Sequence, residues 1–486
     1  VELYGYTFEI FGTVITSTST ASLYYAATLI SAAFFSLWCG QLVDKYDPKT
    51  ILIAFAILGV APIFALAFVG AGMRLASGTD DHTVWGYYAA LFAFILTAAQ
   101  AAPLVAIAPR IAKAHWRRPV SRAAELFAVV GILNMILFIP LIWVLPGLED
   151  GRRSLWFFGE LDVPAHFPQF LTTLALISLT VLGVALLWMS ALPDLAALRD
   201  SSTGSRQRWY TRLARGWHGT SAQWNMQYHR LGILGAFYFM MLIFTHFLIA
   251  TDFDMALIPG WIDALFPITH AANSLQAGCA TVIIAMFVLR RFGGYGDWIG
   301  LDQFWGLGKL MFALSLLWFW FWFSSFIILW YGSRPNEESV LNLIIRGPYQ
   351  PAFMAAFILN FIAPLFMMMW NPVRKSIWGP TLVATGILIG TFFDRIRLYV
   401  SAYSIPGIGD SSVDKHMLPA ELPQAVMPHF IDYVIWIGAI AGSVFVYMLA
   451  TRIFPVINIW EQKELLLYKF HKKLHRTEVL VLGKPD

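Results

Sequence analysis

The sequence predicts an all-α integral membrane protein with about eleven transmembrane helices. The chain has 486 residues, of which 58% are hydrophobic, 16% are aromatic and only 13% are charged. A water-soluble chain would carry charge on roughly a quarter of its residues to cover its surface. Apolar runs long enough to cross a bilayer recur along the sequence, and Lys and Arg are concentrated in alternate connections between them. Lipid must therefore cover most of the outside of this protein.

Each predicted transmembrane helix is an apolar run of about 20 residues, which is the length that spans a hydrocarbon core of about 30 Å. Charged stretches and stretches rich in Pro or Gly mark the ends of these runs. In chain order the predicted helices are α1 (20–42), α2 (51–75), α3 (84–110), α4 (121–146), α5 (167–192), α6 (230–251), α7 (265–290), α8 (306–332), α9 (350–371), α10 (378–401) and α11 (427–453).

The distribution of basic residues predicts the orientation. One set of alternate connections holds 23 of the 33 Lys and Arg, whereas the opposite set holds only six. The positive-inside rule places the basic set in the cytoplasm. The chain is therefore expected in a bacterial inner membrane with its N-terminus outside and its C-terminus inside. The basic connections are 43–50, 110–122, 193–229, 290–305, 371–377 and 452–486.

The composition also excludes several functions for the chain alone. Its basic residues lie between apolar runs rather than in one compact stretch, which argues against nucleic-acid binding. The two cysteines, Cys39 and Cys279, are too few to hold an iron–sulfur cluster, and no set of facing histidine pairs suits haem b. We therefore expect no metal site and no covalently bound cofactor, with iron–sulfur and haem centres only in partner proteins.

Ionisable residues in the apolar helices are the candidates for function, because a charge in the hydrocarbon region is costly. His246, His270 and Asp394 lie five to seven residues from the outer ends of α6, α7 and α10. They therefore share a depth of roughly 7 to 11 Å below the outer boundary. Histidine and aspartate at this depth suit a quinone, whose carbonyls need partners that exchange protons. The alternative is that the histidines are packing residues and that Asp394 forms a structural ion pair with Arg395 or Arg397.

Three further acids and one amide complete the candidate set. Asp252 and Asp254 follow α6 at the outer surface, and Gln100 lies within α3. Glu125 lies four residues into α4 from the inner side, where it is a candidate for proton entry or an ordinary interfacial residue. The predicted quinone-binding residues are Gln100, His246, Asp252 and Asp254. The predicted proton-path residues are Glu125, His270, Asp394 and Arg395.

Several stretches in order resemble the NrfD-like polysulfide reductase membrane subunits, and most closely the ActC-type quinol-oxidising subunits of bacterial alternative complex III. The resemblance extends over about residues 51 to 465. It is carried by Val84-Trp85-Gly86-Tyr87-Tyr88, Arg122-Ala123-Ala124-Glu125, Pro193-Asp194-Leu195-Ala196-Ala197-Leu198-Arg199-Asp200, Asp252-Phe253, Pro259-Gly260-Trp261, Trp330-Tyr331 with Glu337-Glu338, and Arg346-Gly347-Pro348-Tyr349.

The resemblance implies two four-helix bundles, at about 84–251 and 265–401, flanked by α2 and α11. It divides the chain into an additional N-terminal helix (1–50), an NrfD-like membrane domain (51–455) and a cytoplasmic tail (456–486). It also implies a quinone, menaquinone or ubiquinone, near the outer side of the first bundle. The implied partners are other membrane subunits, an external iron–sulfur subunit and cytochrome c subunits.

Two positions depart from the pattern of the family. Where its members usually carry a histidine in α3, this chain has Gln100, and where they usually read Pro-Gly-Trp-His, it has Ile262 in the last position. Both changes remove a titratable group from the implied quinone site.

We therefore interpret the chain as a quinone- or quinol-binding subunit of a respiratory or photosynthetic oxidoreductase complex, rather than as an enzyme alone. It would pass electrons to the external iron–sulfur partner and translocate protons. The first alternative is a structural or proton-conducting subunit that has lost its quinone site, which the departures favour. The second is a secondary transporter, which predicts a two-fold repeat and unwound helices at the midplane.

Overall fold

The computed structural model divides the chain into two compact units, Val1–Pro62 and Ile63–Asp486. In the first unit, strands β1 (Phe8–Ile10) and β2 (Thr13–Ile15) form a short antiparallel hairpin. The predicted helix α1 and the first part of α2 lie outside the described residues. The structure describes residues 8–10, 13–15, 61–76, 81–145, 164, 166–405, 418, 422–474 and 477–482.

In the second unit, helices occupy the positions of all the remaining predicted segments. Seven of the described helices are long and apolar enough to cross a membrane, namely α4 to α9 and α11. The observed bounds are α2 Ala61–Ala76, α3 Gly86–Ala98 and Leu104–Ile111, α4 Ser121–Val144, α5 Phe167–Ser201, α6 Ser221–Asp252, α7 Phe266–Phe292, α8 Leu301–Gly332, α9 Gln350–Met368, α10 Trp378–Arg395 and α11 Phe430–Ile453.

The chain is helical throughout the membrane segments, but two short hairpins depart from the all-α prediction. The second hairpin, β3 (Lys469–Leu474) with β4 (Thr477–Leu482), follows a further helix, α12 (Ile459–Tyr468). The region predicted as a cytoplasmic tail therefore contains regular structure. Short helical elements in the connections are His82–Trp85, His115–Arg117, Gly204–Ala214, Met255–Leu257, Pro335–Leu341, Asn342–Arg346, Asn371–Arg374 and Ser401–Tyr403.

The helices of the second unit pack as two rings of four. In the first ring α3 contacts α4, α4 contacts α5, α5 contacts α6, and α6 closes on the second half of α3. In the second ring α7, α8, α9 and α10 follow one another in the same way, and α10 closes on α7. The rings meet where α6 and α3 contact α7 and where α3 contacts α10. Residues at this junction are therefore shielded from lipid on all sides.

Helix α3 is interrupted between Ala98 and Leu104. Pro103 cannot donate a backbone hydrogen bond, and its ring disfavours a continuous helix through the preceding residues. The carbonyl group of Gln100 instead accepts a hydrogen bond from the Tyr238 hydroxyl of α6 at 2.5 Å. Gly278 of α7 lies against Ala101, and a Cβ atom at Gly278 would come within 2.7 Å of the Ala101 carbonyl carbon. The interruption thus brings α3 and α7 into close contact.

Two elements flank the first ring. Helix α2 packs on α11 through a buried ion pair between Arg74 and Asp432, 2.5 Å apart. Helix α12 lies against the end of the first ring that is predicted to face the cytoplasm, called the inner end below. There the Trp460 indole donates a hydrogen bond to the Ser190 carbonyl at 3.1 Å. Glu461 next to it is fully buried. Helix α12 is therefore part of the packed membrane domain.

Candidate functional site

Two buried histidines meet at the junction of the two rings. The Nδ1 atoms of His246 in α6 and His270 in α7 are 2.9 Å apart, so one of them donates a hydrogen bond and the other accepts it. The Nε2 atom of His270 lies 3.2 Å from the Tyr399 hydroxyl. The connection between α6 and α7 places each histidine within two turns of the helix end that is predicted to face outside, called the outer end below. Three titratable groups from three helices thus form one hydrogen-bonded chain.

Next to this chain, α10 contributes a compact group of charges. Asp394 pairs with Arg397 at 2.8 Å and more loosely with Arg395 at 3.8 Å, and all three residues are buried. Arg395 also donates a hydrogen bond to the Asn273 side-chain oxygen at 2.7 Å. A π-helical turn follows at Ile396–Val400. The extra residue in this turn rotates the chain, so that the Tyr399 side chain also reaches the junction.

The connection after α6 carries buried acids beside this cluster. Asp252 and Asp254 have no solvent exposure. Neither side-chain oxygen of Asp254 has a hydrogen-bond partner among the described residues, and the same holds for the Nε2 atom of His246. Asp263 accepts hydrogen bonds from two backbone N–H groups at the start of α7. Buried acceptors without partners are costly, which makes Asp254 and His246 the groups that need a further ligand.

A small cavity lies between α7, α8 and α10 at the same level. Its volume is about 40 Å³, which is room for one or a few water molecules. His270, Asp394 and Arg395 line one wall, and Asp263 and Trp261 line another. The cavity therefore gives the histidine chain and the α10 charges a common polar contact.

A chain of uncharged polar side chains continues from the cluster along the second ring. Asn273 donates to Gln276 and to Thr391, each at 3.3 Å. Gln276 donates to Ser315 at 2.8 Å and to the Asn360 carbonyl at 2.7 Å. The sequence alone did not indicate a role for these residues or for Tyr399. The available signal was the pair Asn273 and Gln276, three residues apart in an otherwise apolar helix and hence on one face.

The predicted residue Gln100 lies elsewhere, within the first ring. Its side-chain oxygen accepts a hydrogen bond from Asn134 of α4 at 3.0 Å. Its amide nitrogen lies beside Gly131, where a Cβ atom would approach it to 2.6 Å. At the outer end of this ring, Phe138 packs between Phe92 and Phe253, with ring centroids 5.2 and 5.4 Å apart. Gln100 therefore belongs to a second polar group, separate from the histidine chain.

Glu125 belongs to a third group, at the inner end of the first ring. It pairs with Arg110 at 2.7 Å and with Arg122 at 3.2 Å. Arg122 also pairs with Asp194 of α5, and Glu461 of α12 pairs with Arg117 at 2.6 Å. Six charged residues therefore form one network here, namely Arg110, Arg117, Arg122, Glu125, Asp194 and Glu461.

Glu461 lies outside the membrane-spanning helices, and its pKa shows which force dominates there. Burial raises the pKa of Glu461. The adjacent guanidinium groups of Arg110 and Arg117 lower this pKa by more than burial raises it, so the net shift is downward. Glu461 therefore remains ionised and holds α12 in place.

The candidate quinone and proton residues thus fall into groups at opposite ends of the membrane domain. His246, His270, Asp394 and Arg395 meet at the junction of the rings, with Asp254 following α6. Within the described part of the chain, no group of three or more His, Cys, Asp or Glu side chains is arranged to hold a metal ion. The arrangement suits proton exchange with an organic ligand.

The fold and the site define a polytopic helical membrane protein with titratable groups buried at the junction of two helix rings. The family described as polysulphide reductase, NrfD matches residues 76–407, which is more than half of the chain. The chain therefore belongs to the NrfD family and is a membrane subunit of the polysulfide reductase type of oxidoreductase complex. No curated protein sequence matches it significantly.

Proposed function

We propose that this chain binds quinol at the outer end of α6 and passes the electrons to an external iron–sulfur subunit, as an ActC-type subunit of an alternative complex III. Quinone binding and association with iron–sulfur subunits are usual in the NrfD family. The chain would serve in the inner membrane of a bacterium. Residues 51–455 would form the NrfD-like domain, and residues 1–50 would add a helix to it.

The observation that carries this proposal is the set of buried polar atoms without partners near the outer end of α6. They are the Nε2 atom of His246 and both carboxylate oxygens of Asp254. A quinol has two hydroxyl groups, each of which donates one hydrogen bond and loses one proton on oxidation. An imidazole nitrogen and a carboxylate are suitable acceptors for these protons. The donor and acceptor set therefore fits a quinol.

The remaining residues of the cluster would move protons away from the ligand. A proton accepted at Nε2 of His246 is matched by release at Nδ1 towards His270, whose own ring contacts Tyr399. Arg395, paired with Asp394 and Asn273, keeps a positive charge near the carboxylate of Asp254. The polar chain from Asn273 to Gln276 and Asn360 would extend this route along the second ring. A bound quinol would supply the electrons.

The first test removes the acceptors one at a time. In the purified complex, we expect His246→Ala, Asp252→Asn and Asp254→Asn each to lower quinol-dependent electron transfer at least tenfold. Such a loss corresponds to about 1.4 kcal/mol or more on the barrier. Turnover with an artificial electron donor to the iron–sulfur subunit should stay unchanged, because the partners are intact.

The matched control is His166→Ala, which makes the same change at an exposed position before α5. It should leave quinol oxidation unchanged. Co-purification of the partner subunits separates loss of function from loss of assembly. If the variants at His246 and Asp254 assemble and oxidise quinol normally, quinol does not bind at this end of α6.

A second candidate function is that of a proton-conducting or structural subunit without a quinone site. The close aromatic packing of Phe92, Phe138 and Phe253 at the outer end of the first ring favours it. So does the water-sized cavity beside His270. If either role is correct, the variants at His246, Asp252 and Asp254 should retain quinol oxidation. In a proton-conducting subunit they should also lower proton uptake by the complex.

The orientation is tested separately. Because the basic connections are expected in the cytoplasm, reporter fusions after Ala114, Ser202 and Lys473 should report the cytoplasm. Fusions after Asp150 and Asp410 should report the outside. One reversed reporter in the middle of the chain would contradict the predicted alternation of helices.

A further inference from the structure

A cleft of about 620 Å³ lies at the inner end of the first ring, between the end of α3, the start of α6 and α12. The cleft lies at the opposite end of the first ring from the hydrogen-bonded histidines, and the proposed function does not involve it. One wall is basic and is formed by the last turn of α3 and the α3–α4 connection. The apolar part of the lining, called the apolar wall below, is formed by Leu231 and Gly232 of α6 with Ile107 and Ile111 of α3. The basic wall consists of Arg110, Lys113, His115, Arg117 and Arg118.

The basic wall offers N–H groups that the described residues do not satisfy. The Nε and Nη1 atoms of Arg110 and the Nε atom of Arg117 are buried without a hydrogen-bond acceptor. Arg117 is only 8% exposed. Glu125 and Glu461 occupy other nitrogens of the same two guanidinium groups. Each buried donor without a partner is costly, so an additional acceptor at this wall would be stabilised.

Lys113 adds a cation at the mouth of the cleft. It is exposed, and it forms no ion pair within the part of the chain that the structure describes. Arg118 on the same wall pairs with Glu464 at 3.3 Å. The cations of the wall therefore exceed the carboxylates that reach them, and the cleft attracts an anion.

The apolar wall can accept a hydrocarbon chain. Ile107 and Leu231 of this wall are buried, whereas Ile111 is 66% exposed. At Gly232 no atom of the described residues lies within 4 Å of the position that a Cβ would occupy. Ile233 and Phe237 continue the exposed apolar surface along α6, at 57% and 56% exposure. A free inorganic anion would make no favourable contact with this apolar wall.

We propose that this cleft binds the phosphate group of an anionic phospholipid, with an acyl chain lying along α6 at Gly232. The phosphate oxygens accept hydrogen bonds from Arg110, Arg117 and Lys113, which lie at the headgroup level at the end of α3. Quinone does not suit the basic wall because its headgroup carries no charge. The lipid joins α3, α6 and α12, and so stabilises the inner end of the ring.

The test uses the complex that contains the full chain. After detergent removes bound lipid, the complex is incubated with phosphatidylglycerol or with phosphatidylcholine, and bound lipid is counted by native mass spectrometry. We expect phosphatidylglycerol to bind and phosphatidylcholine to bind at least about fivefold less. Lys113→Gln removes one cation near the membrane surface and should weaken phosphatidylglycerol binding about fivefold. Gly232→Leu fills the acyl site without changing charge and should weaken it similarly.

The matched control is Arg206→Gln, which removes an exposed cation from the helix Gly204–Ala214 on the same side of the protein. It should leave lipid binding unchanged. Equal binding of the two lipids, or normal binding by both cleft variants, would overturn the proposal. Complete competition by inorganic phosphate would show a free-anion site instead. A carboxylate of a partner subunit cross-linked to Lys113 in the intact complex would show that protein fills the cleft.

Discussion

Arg122→Met should lower the free energy of unfolding by about 3–5 kcal/mol, because it leaves buried Asp194 without its cation and leaves Glu125 with Arg110 as its one remaining partner among the described residues. Arg122 has no solvent exposure and donates to Glu125 and Asp194, each at 3.2 Å, and to the Ser190 carbonyl at 2.8 Å. These contacts join α4 to α5. Methionine keeps the apolar stem of the side chain, so the loss reports the charge rather than the packing.

The loss is measured by unfolding the purified complex in mixed detergent micelles. Arg206→Met, at an exposed position, is the control and should change stability by less than about 0.5 kcal/mol. The triple variant Arg122→Met, Glu125→Gln, Asp194→Asn should recover much of the loss, because it neutralises the two carboxylates that lose the Arg122 cation. A triple variant as unstable as the single variant would mean that packing, not charge, determines the effect.

Gly278→Ala should disrupt the contact between α3 and α7 and destabilise the protein by about 1–3 kcal/mol. The added Cβ would lie 2.7 Å from the carbonyl carbon and 2.8 Å from the carbonyl oxygen of Ala101. These are backbone atoms in the interruption of α3, so neither side can give way by changing a rotamer. Separation of α3 from α7 would also loosen the junction where His270 lies.

Gly72→Ala is the matched control for this substitution. Gly72 is an exposed helical residue, and within the part of the chain that the structure describes no atom lies within 4 Å of the position of an added Cβ. Alanine has a higher helix propensity than glycine by about 1 kcal/mol, so this variant should be as stable as the original chain or more stable. The same unfolding experiment compares the two. Equal effects of both substitutions would contradict the close approach at Gly278.

The sequence predicts the helices well because the hydrocarbon core requires long apolar runs. The predicted helix ends are wrong where the helices continue beyond the hydrocarbon core. Helix α5 continues to Ser201 and α6 begins at Ser221, so much of the connection predicted at 193–229 is a continuation of these two helices. Hydropathy cannot detect these additional helical turns, because their residues are polar. It likewise missed α12, whose position depends on a partner for Glu461 that is more than 300 residues away in sequence.

The candidate site was predicted in part. Counting residues from the helix ends placed His246 and His270 at one depth, and the structure brings their rings into contact. Depth alone does not say which way a side chain faces. The prediction therefore grouped Gln100 with the histidines, although its neighbour in the structure is Asn134. Uncharged residues such as Gln276 are polar but carry no charge, and their contacts with Ser315 and Asn360 depend on how the helices pack.

The position of Glu461 has a consequence for biosynthesis. Arg110 and Arg117 enter the membrane region early in translation, but one of their counter-charges lies in α12, near the end of the chain. Until residue 461 leaves the ribosome, the inner ends of α3 and α4 hold more positive than negative charge. The membrane insertion machinery therefore handles an unfinished first ring throughout the synthesis of the second. Only the docking of α12 completes the first ring. The two rings are therefore not completed in the order in which their helices occur in the sequence.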